Sequence, residues 1–307
     1  MKDGDANSKY FHSVLSSRRR RNVIVSLMVN SSLVEGVQPI CQAVFSHFRD
    51  HFVSPNISRP GVENLAFKNS SYVEGNGLTK PFSVDEVKIA ILDCDNYKSP
   101  RPDGVHFGFI KEFWEVVKGD IMRFITDFHR NDKLTRGINS TFIVLIPKVD
   151  SPQSLHDFRP ISLVGCLYKI LSEVLANRLR MVMRSLISET QTTFLKDRQI
   201  LDGILIANEL LDEARKTKKE LMLFKVDFEK SYDSVDWGYL DKVMRKMAFP
   251  VLWRKWIKEC VSTATTLVLV NGSPTEEFHL KRGLRQGDPL SPFLFLLVDE
   301  GLNVMMK

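Results

Sequence analysis

Several residues in this chain have types and spacings suited to chemistry on a phosphate-bearing ligand. Asp227 ends a largely apolar run, residues 221–226, and a carboxylate at the end of a buried strand is placed to bind a divalent metal ion. Five residues further on, Tyr232 supplies a rigid ring that could lie beneath a sugar. Lys148 and Arg159 offer a compact ammonium and a planar fork, both suited to phosphate oxygens. Gln286-Gly287 lies just before a helix signal, where glycine lets backbone approach a ligand closely and Gln286 could touch it. Each has a plain structural alternative. Asp227 could cap the turn after its strand, Tyr232 could be a core aromatic, Lys148 and Arg159 surface cations, and Gln286-Gly287 a simple lead into a helix. Asp233 and Asp236 read as turn and cap residues.

The elements that must position these groups are legible in the hydrophobic pattern. Ser83-Val84-Asp85-Glu86 is a capping-box pattern opening a helix that stops before the proline- and glycine-bearing segment 98–104. Apolar residues recur at helical spacing over 109–128, giving one helix or two broken at Gly119. Residues 142–146 predict a short buried strand. Leu167, Ile170, Leu171, Val174, Leu175, Leu179, Val182 and Leu186 trace a helix face, with Arg178, Arg180 and Arg184 on or beside the opposite one. A further helix is predicted over 200–214, and Asp236 caps another that ends at Pro250. Residues 265–270 and 277–281 flank Asn271-Gly272, a tight-turn dipeptide. Asp288-Pro289 predicts an N-cap followed by proline at the first helical position.

The 307 residues suffice for one or two domains, and a net charge of +6 is compatible with a polyanionic partner. Four consecutive arginines, 18–21, form either a phosphate-contacting cluster or a solvated charge run. Residues 55–77 are rich in Pro, Asn, Ser and Gly and read as a linker. Four scattered cysteines give no zinc pattern and fit a reducing, intracellular setting. His47 and His51 stand at helical spacing without the glutamate of a metalloprotease motif, as a surface or core pair. No apolar run reaches the length of a membrane span, and the polar N-terminus lacks the centre of a signal peptide.

In combination these segments resemble the reverse transcriptases of non-LTR (LINE-type) retrotransposons, especially those of plant genomes. The likeness runs through residues 2–12 (KDGDANSKYFH), 98–104 (KSPRPDG), 145–148 (LIPK) with 158–163 (FRPISL), 191–198 (QTTFLKDR), Asp227, and Gln286-Gly287. The resemblance implies an α+β right-hand polymerase, with fingers and a partial palm but no thumb. Residues 1–75 would be an N-terminal basic extension and connector to an endonuclease, 76–220 helical fingers with short strands, and 221–307 the partial palm. It implies RNA-directed DNA synthesis from dNTPs on an RNA template and DNA primer, with two magnesium ions and a nuclear location. Asp227 and the backbone carbonyl of Phe228 would be metal ligands. Lys148 and Arg159 would neutralise the triphosphate, and Gln286 and Gly287 would meet the nucleotide. Tyr232 would select deoxyribose, and Gln191, Phe194 and Arg198 would lie against template or primer.

The sequence departs from the family pattern in three places. The paired-aspartate (Y/F)xDD motif is missing, so the metal site is incomplete and this chain is expected to be inactive alone. Arg101 stands where glycine is usual, and Thr193 where glycine or alanine is usual. Two other readings share part of this pattern. One is a group II intron maturase-type reverse transcriptase, disfavoured by residues 5–12 and 98–104. The other is a non-catalytic nucleic-acid-binding remnant that holds RNA through phosphates.

Overall fold

The computed structural model describes residues 12–14, 16–17, 22–53, 61–96, 102–188, 200–222 and 231–306. The arginine cluster at 18–21 and the expected site residues Gln191, Phe194, Arg198, Asp227 and Phe228 lie outside them.

A hairpin of β1 (Ser26–Val29) and β2 (Ser32–Glu35) turns through Asn30 and Ser31, both at positive φ, and leads into α1 (Val37–His51). Four helices follow: α2 (Tyr72–Thr79), α3 (Val84–Asp93), α4 (Phe107–Glu112) and α5 (Trp114–Asn131). Strands β3 (Ser140–Pro147) and β4 (Phe158–Val164) precede the long α6 (Cys166–Leu186). Then come α7 (Ile200–Thr217), α8 (Trp237–Lys246), α9 (Val251–Ser262), β5 (Thr265–Val270), β6 (Ser273–Pro274), β7 (Phe278–His279) and α10 (Ser291–Met305).

The aliphatic and β-branched runs of β3 and β5 form the centre of a sheet with order β4-β3-β5-β6, and β7 also pairs with β5. β3 is antiparallel to β4 and parallel to β5. Alternation buries Thr141, Ile143, Leu145, Thr266, Val268 and Val270 on one face. Residues 24–53, placed by the sequence within an N-terminal extension, pack on that face. Ile40, Val44 and Phe48 of α1 share a core with Ile143, Leu145 and Val268. Met28 N–H donates to the Gln153 carbonyl at 2.7 Å. Ile24 N–H donates to Asn271 Oδ1 at 2.8 Å, and Asn271 Nδ2 donates back to the Ile24 carbonyl at 2.9 Å.

Helix α6 is buried almost all round because two cores share it. One side joins α3, α4 and α5 through Val87, Ile91, Phe107, Ile125, Ile170 and Val174. The other joins α8, α9 and α10 through Leu171, Leu175, Leu179, Val243, Trp256 and Leu297. Each aliphatic side chain removed from water there contributes roughly 1.5–3 kcal/mol before conformational entropy is subtracted.

Five local expectations are corrected. The 109–128 pattern breaks at Phe113, not Gly119. Phe113, at φ −99° and ψ 24°, ends α4 and begins α5, while Gly119 stays helical and exposed. The capping box at Ser83 is half formed. Ser83 accepts the Glu86 N–H, but the Glu86 carboxylate is taken by Arg178. Arg178 is therefore not on a solvated face; it is 4% exposed. Strand 277–281 is only the two residues of β7, because Thr275 Oγ1 intrudes on the ladder and accepts the Val268 N–H. Helix α10 starts at Ser291 rather than just after Asp288. The Asp288 Oδ1 accepts the Leu290 N–H in a turn of its own, which delays the helix. The Asn271-Gly272 turn (φ 52° and 87°) and the Asp236 cap on Tyr239 N–H form as read from the sequence.

Cys94, Cys166 and Cys260 are buried and Cys41 is half-buried. Burial pushes the Cys260 thiol up to about 12. Iodoacetamide at pH 8 is therefore expected to modify Cys41 in the native protein and the other three only after urea unfolding. Mass mapping of the alkylated peptides checks this, and rapid native labelling of Cys260 would contradict it.

Candidate active site

The strand pair β3–β4 carries the two cations. Ile146 is opposite Arg159 and Pro147 opposite Phe158, so Lys148 and Arg159 are diagonal neighbours on one face, and both are exposed. The turn between them is rigidly built. Lys148 N–H donates to the Asp157 carbonyl (2.7 Å) and Lys148 Nζ to the His156 carbonyl (2.9 Å). Asp157 Oδ2 accepts the N–H groups of Gln153 and Ser154, and these bonds hold its carboxyl below the usual range.

Among the described residues β4 is an edge strand. Alternate N–H groups along it face β3 and the others face outward. Position 160 is in the outward set, and proline there has no N–H to leave unpaired. Ser162 is the next outward residue, and its N–H donates to the Gln286 carbonyl at 2.7 Å. The Gln286-Gly287 bend therefore covers the edge of β4 two to three residues from Arg159, about 7–10 Å along the strand. Gly287 has φ 108°, and a Cβ there would lie 2.8 Å from the Ser162 carbonyl oxygen. Only glycine permits this approach.

Tyr232 is bonded to the residues just before this bend. Its carbonyl accepts the Leu284 N–H (2.7 Å), and the Val235 carbonyl accepts the Gly283 N–H (2.8 Å). Gly283, at φ 88°, presses on this segment: a Cβ would meet the Asp233 carbonyl oxygen at 2.7 Å. The Tyr232 ring is half-buried and stacks on Phe295 with centroids 5.1 Å apart and planes 19° apart. Burial raises its phenol above the ordinary value. The structure thus ties Lys148, Arg159, Tyr232, Gln286 and Gly287 to one strand pair and one bend. Asp227, Phe228, Gln191, Phe194 and Arg198 are outside the described residues. Among the described residues no group of three or more His, Cys, Asp or Glu side chains could hold a metal ion. Nor is any helix there long and apolar enough to cross a membrane.

Sequence reasoning missed two features of this region. Asp233 is in a turn, as read from the sequence, but its burial and its partner were not foreseen. It is 8% exposed and faces His51 Nε2 at 3.4 Å. His51 stacks on His47, and the His47 ring lies edge-on to His156 beside the Lys148 turn. The other feature is burial of both shoulders of the bend, Arg285 and Asp288. The only local clue was two charged residues flanking Gln-Gly.

Comparison with known proteins gives concordant results. A family profile described as reverse transcriptase (RNA-dependent DNA polymerase) matches residues 146–305. The chain is 28% identical over 308 residues to the "Transposon TX1 uncharacterized 149 kDa protein" of Xenopus laevis, covering 99% of this chain and 24% of that protein. It is 29% identical over 268 residues to the "Retrovirus-related Pol polyprotein from type-2 retrotransposable element R2DM" of Drosophila melanogaster, covering 87% and 24%. It is 25% identical over 228 residues to the "Probable RNA-directed DNA polymerase from transposon BS" of Drosophila melanogaster, covering 70% and 24%. The chain spans about a quarter of the length of these relatives.

Proposed function

Because the chain belongs to the reverse transcriptase (RNA-dependent DNA polymerase) family, we propose that it is the polymerase region of a non-LTR retrotransposon protein. In this reading the protein to which it belongs copies an RNA template from a DNA primer with dNTPs, while this chain alone binds them without extending the primer. The observation that carries this reading is the gathering of Lys148, Arg159 and Gln286-Gly287 along the β3–β4 edge, with Tyr232 bonded to the same bend. Two exposed cations on one face match the charge of a triphosphate and require no rearrangement of the core. The glycine at 287 keeps the bend low enough for a nucleotide to lie across it. Tyr232, braced by Phe295, presents a fixed ring that excludes a 2′-hydroxyl.

Gln191, Phe194 and Arg198 contact template or primer in this proposal. Reverse transcriptases generally use divalent metal ions. We propose magnesium, with Asp227 and the Phe228 carbonyl among its ligands, and when bound it supplies neutralising charge to the phosphates.

The test is equilibrium binding of labelled dTTP to the 307-residue chain with magnesium and oligo(dT) on poly(rA). The exposed positions make Lys148→Ala and Arg159→Ala safe for folding. Each is expected to weaken dTTP binding by about 10–100-fold, the loss of one or two charge-assisted hydrogen bonds. Template-primer binding itself should fall steeply with added salt. Absence of template-primer binding at low salt, or dTTP affinity unchanged in the double variant, would refute the proposal.

A further inference from the structure

The Gln286-Gly287 bend has an unusual burial pattern. Leu284, Arg285, Asp288 and Leu290 are buried, and Gln286 and Gly287 alone between them are exposed. The buried shoulders are charged, not apolar. Arg285 Nη2 donates to Asp288 Oδ2 at 2.9 Å, with side chains 6% and 4% exposed. Arg285 Nη1 donates to Asn139 Oδ1 (2.6 Å) and Thr141 Oγ1 (3.1 Å). The guanidinium lies 4.1 Å from the ring centroid of Tyr168, whose hydroxyl donates to the same Asp288 oxygen at 2.9 Å. Asn139 Nδ2 in turn donates to the Cys260 carbonyl at the end of α9. The loop before β3, β3 itself, α6 and α9 therefore converge on the two residues that bracket Gln286-Gly287.

A buried ion pair gives little net stability compared with well-packed apolar side chains, because desolvation offsets the Coulomb gain. What it gives here is direction. An apolar anchor would let a bend slide or rotate by fractions of an ångström, whereas a forked cation with fixed acceptors has one seat. That matters at this place because Gly287 already lies against the Ser162 carbonyl with no space for a methyl group. From these contacts we propose that Arg285 and Asp288 are positioning residues, whose buried network, closed by Tyr168 and Asn139, sets the Gln286-Gly287 bend against β4. They touch no substrate. They fix the height and orientation at which the bend meets a nucleotide, and that last step rests on the function proposed above.

The experiment reads position and binding separately. Asp288→Asn is isosteric and removes the charge; Tyr168→Phe removes one hydroxyl from the network. Residue-resolved amide exchange is measured at Ser162, whose N–H is bonded to the bend, and at Ile143 and Val268 in the sheet centre as controls. Both variants are expected to unfold cooperatively, with exchange at Ser162 faster by about tenfold or more, the opening that follows loss of one charge-assisted bond. The control amides are expected to keep wild-type rates. Binding of dTTP should weaken by a similar factor, with Arg285→Lys intermediate because it keeps charge but loses the fork. Unchanged exchange at Ser162, or acceleration equal at Ser162 and the controls, overturns the proposal, the second showing a general structural role. If the wild-type chain binds no dTTP, the functional reading falls, while the exchange comparison still decides whether the network positions the bend.

Discussion

Replacing Arg178 with alanine is expected to lower stability by about 3–5 kcal/mol, a large part of what an ordinary domain possesses. All five guanidinium N–H groups are used. Nε and Nη2 grip the two Glu86 oxygens at 2.6 and 2.9 Å, and Nη1 and Nη2 reach the carbonyls of Leu78, Lys80 and Pro81. The plane also covers the Phe82 ring at 4.1 Å. One side chain on α6 thus satisfies the end of α2, the connection after it and the first turn of α3. Alanine would leave three carbonyls and a largely buried carboxylate without partners. Arg178→Lys should cost about 2 kcal/mol, since an ammonium has three donors and no fork. Urea titration of the two variants checks both the size and the order; a loss under about 1 kcal/mol for Arg178→Ala would mean that water replaces the fork.

The second large effect is expected at Gly287. Alanine there places a methyl carbon 2.8 Å from the Ser162 carbonyl oxygen, closer than the two atoms can approach, at a φ of 108° that side-chain-bearing residues rarely adopt. Strain of about 1–3 kcal/mol can be released by lifting the bend from β4. Lifting breaks the Ser162–Gln286 hydrogen bond and moves the proposed nucleotide surface, so dTTP affinity should fall by about 100-fold. Gly272→Ala is the matched control. Its φ is 87° and nothing lies within 4 Å of an added Cβ, so it tests backbone strain without collision. It should lose about 1 kcal/mol of stability and keep dTTP affinity. Equal nucleotide binding by Gly287→Ala and wild type would show that the bend does not meet the ligand.

The features read correctly from sequence are those with local causes. Strands β3 and β5, the buried stripe of α6, the Asn271-Gly272 turn and the Asp236 cap all depend on neighbours within a few residues. The misread residues have partners far away. Arg178 was placed on or beside the face opposite the apolar stripe, although it stands seven residues after Leu171 and four after Val174; what the sequence could not show is that Glu86, 92 residues earlier, lies beside it. Asp288 followed by proline has the local form of an N-cap, but Tyr168 and Arg285 take one of its oxygens and Leu290 the other. Asp233 gave no sign of His51. Of the candidate site, Lys148, Arg159, Tyr232, Gln286 and Gly287 were found as isolated positions; that Lys148, Arg159, Gln286 and Gly287 share one edge follows only from the β3–β4 register and the bond between Ser162 and Gln286, and Tyr232 is linked to them only through the Leu284 N–H.

The reciprocal bonds between Ile24 and Asn271 have a consequence for biosynthesis. Helix α1 and its hairpin bury their apolar side chains against Val268, Val270, Phe278 and Leu280, which the ribosome delivers more than 200 residues later. At about 5–20 residues per second, the nascent N-terminal segment waits roughly ten to fifty seconds for the strand it needs. During that interval Ile40, Val44 and Phe48 stay available to chaperones and to neighbouring chains, so yield in translation should depend on holdase capacity more than on the final stability of the fold.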